Sequence, residues 1–253
     1  MNAILQPFAA VLADIGLLAA VCAFGGVILS SLVQRLTGQG FGLIAAPVLA
    51  FVAPEYLPTT LLFLGFFVGL GSAALAADAV DLREVPPGLA GRAVGAALAA
   101  WVAAAVAGSP LLPLIVALIV YLAIALSVAG LRVAIRPMSL FLGQIVSGLM
   151  GTLTAIGGPP MALLYQHEPP RRSAAMQNLF FMTGMVISFI ALSVAGLIEM
   201  RHILLALMLA PAAALGVVAA QPLAPRIERG KMRPITLVLA GCAATALLLR
   251  YFT

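Results

Sequence analysis

Charge is scarce in this sequence: Asp, Glu, Lys and Arg together make up 8% of its 253 residues, against roughly 25% in a soluble domain. That scarcity excludes a water-solvated globular surface. Cysteine is almost missing as well. Cys22 and Cys242 stand far apart in apolar runs, with no CxxC and no Cys/His ligand spacing, which excludes a disulfide framework, a zinc site and a dithiol redox centre. Both are read as small core hydrophobes. The histidines are His167 and His202, and no HExxH, clustered Cys/His set or serine paired with a base lies within the apolar runs. A membrane enzyme therefore has no machinery to draw on, and no cofactor or metal is expected. No Lys or Arg precedes Arg35, and the first apolar run is too long for a cleaved signal peptide, so it is read as a retained span.

What is present is apolar. Hydrophobic residues make up 64% of the chain and the mean hydropathy is +1.19, which together predict an all-α integral membrane protein. With about 20 residues per crossing, the first span runs from Asp14 to Leu36. A shorter piece follows from Gly40 to Val52, then spans from Pro58 to Ala77, Gly88 to Ala107, and beyond the Gly108-Ser109-Pro110 turn to Arg132. A second set opens at Pro137, runs to Thr154, resumes as a short piece ending at Gln166, and continues as spans 173–197, 201–221 and 232–251.

Two interruptions organise this pattern. Gly38, Gly40 and Gly42 fall between membrane-grade apolar segments, and Gly157-Gly158-Pro159-Pro160 interrupts the second set. Each glycine costs a helix about 1 kcal/mol relative to alanine, so both helices are predicted to break. Freed backbone groups at membrane depth must face protein or a water-filled cavity. The order of segments divides the chain into residues 1–133 and 134–253, each a broken or re-entrant helical hairpin followed by three transmembrane helices.

Basic residues orient the two halves. One set of connections carries Arg83, Arg92, Arg132, Arg136, Arg171, Arg172, Arg226, Arg229, Lys231 and Arg233, while the opposite set has only Arg201 and Arg250. The positive-inside rule places the first set in the cytoplasm and both termini outside. The second half then starts on the side opposite to the first, so the halves are inverted repeats. Such repeats with discontinuous helices point to a secondary transporter whose site lies at the repeat interface. The net charge of +5 is spread over short loops and not gathered in one patch, so nucleic acid is not a partner; the bilayer and a small anionic substrate are.

The Gly38-Gln39-Gly40-Phe41-Gly42 break with Pro47 after it, and the Gly157-Gly158-Pro159-Pro160 break followed by Arg171-Arg172 and Asn178-Leu179-Phe180-Phe181, resemble the TauE/SafE family of sulfite exporters, also called TSUP. The resemblance covers nearly the whole chain, from about Gly16 to Leu248. It implies movement of sulfite, sulfoacetate or another organosulfonate across the bacterial inner membrane. The chain departs from the family in one respect, since many members carry a longer glycine run at the second break where two prolines stand here.

The residues themselves favour an anion. A half-helix N-terminus carries unpaired N–H groups and a partial positive charge, and glycine lets a bulky oxyanion approach the backbone. Gly38, Gln39, Gly40, Phe41 and Gly42 at one break, Gly157 and Gly158 at the other, are the predicted binding set; the bland alternative is that the glycines only let helices pack. Gln39 offers an amide, and Thr37, Thr152 and Thr154 offer hydroxyls that equally well bond their own helix. Gln177 and Asn178 are expected to face the second break, with Gln144 and Ser147 as weaker candidates. Arg35 either attracts substrate or snorkels to the interface. Arg171 and Arg172 set topology or gather anions at the cytoplasmic mouth by their local field. His167, beside a break, is either a solvated loop histidine or a proton-coupling group, His202 is read as a solvated external loop residue, and Asp14 and Glu55 as interfacial residues without a special role. Gly91, Gly95 and the alanines around Trp101 are read as internal packing in preference to a protomer contact. An anion channel, or an uptake carrier for another organic anion, stays open beside the exporter.

Overall fold

The computed structural model describes residues 5–37, 40–73, 79–223 and 229–252, and every regular element among them is helical. A short helix α1 (Gln6–Ile15) leads into α2 (Leu17–Thr37). The sequence predicts one span from Asp14, but Gly16 at φ +79° parts the two helices and leaves Asp14 in the last turn of α1. After α2 come α3 (Phe41–Val52), a 3-10 turn at Pro54–Tyr56, α4 (Thr59–Ala73), α5 (Val85–Ala105) and α6 (Leu111–Val128). Then follow α7 (Pro137–Thr154), α8 (Gly158–Leu164), α9 (Pro170–Val194), α10 (Met200–Ala220) and α11 (Arg229–Phe252). Prolines mark several starts: α5, α7 and α9 each carry one in the first turn, where the missing N–H would have had no helical partner anyway.

Among the described residues six helices are long and apolar enough to cross a membrane: 17–36, 85–105, 111–128, 170–194, 200–220 and 234–252. Their outward faces carry Leu18, Trp101, Val194 and Phe252, all strongly exposed. Cys22 and Cys242 are exposed on the same kind of surface, which corrects their reading as core residues. In a membrane the outer surface is as apolar as the interior, so hydropathy does not tell the two apart.

The closest helix crossings are built on glycine. A Cβ on Gly91 would lie 2.1 Å from the Phe141 carbonyl oxygen, and one on Gly95 2.2 Å from that of Ile145, so α5 and α7 meet backbone to backbone. Gly216 does the same for α10 against α2, 2.3 Å from the Ile28 carbonyl oxygen. With no hydrophobic drive between helices in lipid, close packing of small residues is what holds them. The short helices sit inside this frame, α3 against α2 and α11, and α8 against α7 and α6. The α4 and α9 helices pack on each other, and α4 also meets α10 as α9 meets α5.

Candidate functional site

The two interruptions touch. A Cβ on Gly42 would lie 2.6 Å from both the carbonyl carbon and oxygen of Ala155 and 2.8 Å from Cγ1 of Ile156. Gly40 has φ +132°, a backbone shape that only glycine takes readily, and it sets the angle at which α3 starts. On the other side Ala155 ends α7 in the left-handed region at φ +58°. A cavity of about 70 Å³ opens at the junction. Its walls include Gly40, Phe41 and Gly42 from the first break and Gly157, Gly158 and Pro159 from the second. Gln177 and Asn178 of α9 line it as well, and the Gln177 amide donates to Ser173 Oγ at 2.8 Å. Gly38 and Gln39, together with the Thr37 side chain, lie outside the described residues.

The two half-helices do not present equal ends. At α3 the Phe41 N–H donates to Gln34 Oε1 at 3.0 Å, and by position the N–H groups of Gly42 and Leu43 have no acceptor within the helix. At α8 the first turn reads Gly158-Pro159-Pro160, and the prolines have no N–H to give. The expected pair of matched donor ends is therefore one rich end and one poor one.

Arg92 stands beside the poor end. The sequence places it in a cytoplasmic connection, but it lies about two turns into α5 and is only 3% exposed. An arginine near the edge of an apolar run reads as an interfacial anchor, and nothing local to Arg92 reveals the space kept for it. That space is made by distant glycines: a Cβ on Gly151 would lie 2.8 Å from Arg92 Nη1, one on Gly157 3.0 Å from Nη1, and one on Gly184 2.5 Å from Nε. Nη1 donates to the Ser147 carbonyl at 2.7 Å and to Ser147 Oγ at 3.2 Å, and Nη2 donates to Ser188 Oγ at 3.1 Å. Ser147 Oγ donates onward to the Gly157 carbonyl at 2.6 Å, and Thr152 shares a 2.7 Å bond with Ser188. Among the described residues Nε has no hydrogen-bond partner, nor does Nε2 or Oε1 of the buried Gln144. The ion pairs among the described residues lie elsewhere, on Arg172 and Arg201.

The remaining candidates fall outside the cavity. Arg35 is exposed, and its neighbour Gln34 turns inward in its place. His167 is exposed beyond the end of α8. Thr154 bonds the Met150 carbonyl of its own helix at 2.7 Å. Arg172 pairs with Glu84 and with Glu168 at 2.6 Å, and reaches Asp81 at 3.7 Å. Tyr165, one residue past α8, donates to Glu84 Oε2 at 2.6 Å. A related tie holds the end of α3, where Tyr56 donates to Asp14 Oδ2 at 2.6 Å, so Asp14 has a partner that the sequence did not reveal. Burial, then the adjoining carboxylate, pushes both phenols above their ordinary range, and both remain donors at physiological pH. His202 is buried in the first turn of α10, its ring Nε2 3.1 Å from the Glu55 carbonyl oxygen, which corrects its reading as a solvated loop histidine.

No curated protein and no solved structure matches the chain. The family model described as "Sulfite exporter TauE/SafE" matches residues 22–247, a stretch that contains both breaks and all six long apolar helices except the first residues of one and the last of another. The chain belongs to the TauE/SafE sulfite exporter family, a family of membrane transporters and not of enzymes.

Proposed function

We propose that the protein is a secondary carrier that exports a small sulfur-containing anion, sulfite or an organosulfonate such as sulfoacetate, across the bacterial inner membrane. The anion is held at the junction of the two helix breaks, against the N-terminus of α3, and is released to either side in turn. One observation carries this reading: both breaks line a single cavity, and the backbone of one touches the backbone of the other at Gly42 and Ala155. Residues 1–133 and 134–253 act as inverted repeats, with both termini periplasmic. The exchange of packing partners supports that division, since α5 of the first half packs on α7 of the second while α10 of the second packs on α2 of the first. None of the described residues lining the cavity is acidic, which suits a negatively charged solute. The half-helix dipole adds roughly half an elementary charge of the matching sign.

The test is flux in liposomes carrying the purified protein, with sulfite, sulfoacetate and citrate compared under an imposed gradient. Saturable sulfite or sulfoacetate flux, absent in Gly42→Leu protein that remains monodisperse, is the expected result. Flux that rises linearly with concentration would identify a channel instead, and undiminished flux in Gly42→Leu would move the site elsewhere.

A further inference from the structure

The geometry points to Arg92 as the residue that takes the charged head of the substrate, and to a site matched to a head group with a single negative charge. This rests on the carrier reading above and deepens it. Three facts converge on the residue. It lines the cavity, its partners among the described residues are the neutral Ser147 and Ser188, and one of its donors, Nε, has no partner among them. A guanidinium has five N–H donors, so three bonds to neutral oxygens leave capacity for an oxyanion.

The surroundings show that the position is built for the charge. Three segments that pack around the guanidinium, α7, the second break and α9, each carry a glycine where a Cβ would come within about 3 Å of it, at Gly151, Gly157 and Gly184. Arg92 also stands where the fold is short of donors, because Pro159 and Pro160 open α8 without N–H groups. Its Nη1, 3.0 Å from the Cβ position of Gly157, supplies the positive pole that α8 cannot.

The charge balance then selects among anions. Among the described residues one arginine and one half-helix end face the cavity. A desolvated ion is costly unless paired, and the Born cost grows with the square of its charge, so a dianion loses about four times the hydration of a monoanion of the same size. Against a single fixed cation a head group carrying one charge, as a sulfonate does, is favoured over one carrying two. Methanesulfonate and sulfate are close to isosteric and differ in charge, which makes them the diagnostic pair. Sulfite itself passes from monoanion to dianion near neutral pH, whereas a sulfonate does not titrate there.

The experiment is calorimetric titration of the purified full-length protein in detergent, using methanesulfonate, sulfate and sulfite from pH 6 to pH 8. Wild-type protein is expected to bind methanesulfonate at least about tenfold more tightly than sulfate, with methanesulfonate affinity flat across the pH range and sulfite affinity falling as pH rises. Arg92→Gln is expected to weaken methanesulfonate by about tenfold or more, and Arg92→Lys to recover part of the loss as a point charge. Methanesulfonate binding within twofold of wild type in Arg92→Gln overturns the inference, as does sulfate binding as tight as methanesulfonate in the wild type. The second comparison needs no variant, so a poorly folding Arg92→Gln does not shelter the idea. If the wild type binds none of the three anions, the carrier reading itself fails and this inference with it. If it binds them with no dependence on charge, the carrier reading stands and this inference alone falls.

Discussion

Ala155 sits at φ +58°, a left-handed conformation that costs an L-residue roughly 1–2 kcal/mol. Replacing it by glycine removes that strain but adds freedom to the unfolded chain worth about 0.4–1 kcal/mol. Ala155→Gly is therefore expected to raise stability by about 0.5–1 kcal/mol, seen as a higher unfolding midpoint in detergent. Gly42 behaves in the opposite way, because an added methyl meets the Ala155 backbone at 2.6 Å, and backbone cannot step aside. Gly42→Ala is expected to destabilise by about 1–3 kcal/mol and to reduce anion binding. Gly143→Ala is its control: there the nearest atom is also at 2.6 Å, but it is the Cδ1 end of the Leu164 side chain, which can rotate. A far smaller loss is expected in the same assay.

At the scale of helices, what matters is how near two axes come. Gly95 brings α5 within 2.2 Å, measured from its Cβ position, of the Ile145 carbonyl oxygen, while a Cβ on Gly25 in α2 meets nothing within 4 Å. Gly95→Ala should push α5 away from α7 and displace Arg92 one turn earlier, with losses in both thermal stability and binding. Gly25→Ala should be neutral or stabilising by up to about 1 kcal/mol, since alanine is the better helix former. Equal effects from the two would remove the close crossing from the account. The short half-helices end in tyrosine ties, Tyr56 to Asp14 and Tyr165 to Glu84. Tyr165→Phe deletes one buried hydrogen bond and leaves Glu84 paired with Arg172, so a loss of about 1 kcal/mol is expected, measured by chemical denaturation. A loss several times larger would show that the tie also holds α8 in place.

At the scale of the whole molecule, the proposed orientation can be read by cysteine labelling, with Cys22 and Cys242 first replaced by alanine. Ala107 and Val133 stand at opposite ends of α6 and are both exposed. Ala107→Cys should react with an impermeant maleimide added to spheroplasts, and Val133→Cys only after permeabilisation. The reverse pattern would invert the topology, and labelling of both from one side would mean that α6 does not cross.

Much of this architecture was legible in the chain itself. Charge scarcity, runs of apolar residues and the two glycine interruptions placed α2, α3 and α5 to α11 within a few residues, because membrane thickness sets helix length and glycine and proline end helices by local chemistry. Gly40, Phe41, Gly42, Gly157, Gly158, Gln177 and Asn178 were likewise reachable from the breaks and their flanks, and all line the cavity. The tertiary structure alone decided that Arg92 is buried beside them while Arg35 and His167 are exposed. An arginine looks the same in sequence whether it snorkels or is enclosed. Its burial here depends on Gly151, Gly157 and Gly184, residues remote in the chain that only packing brings around it.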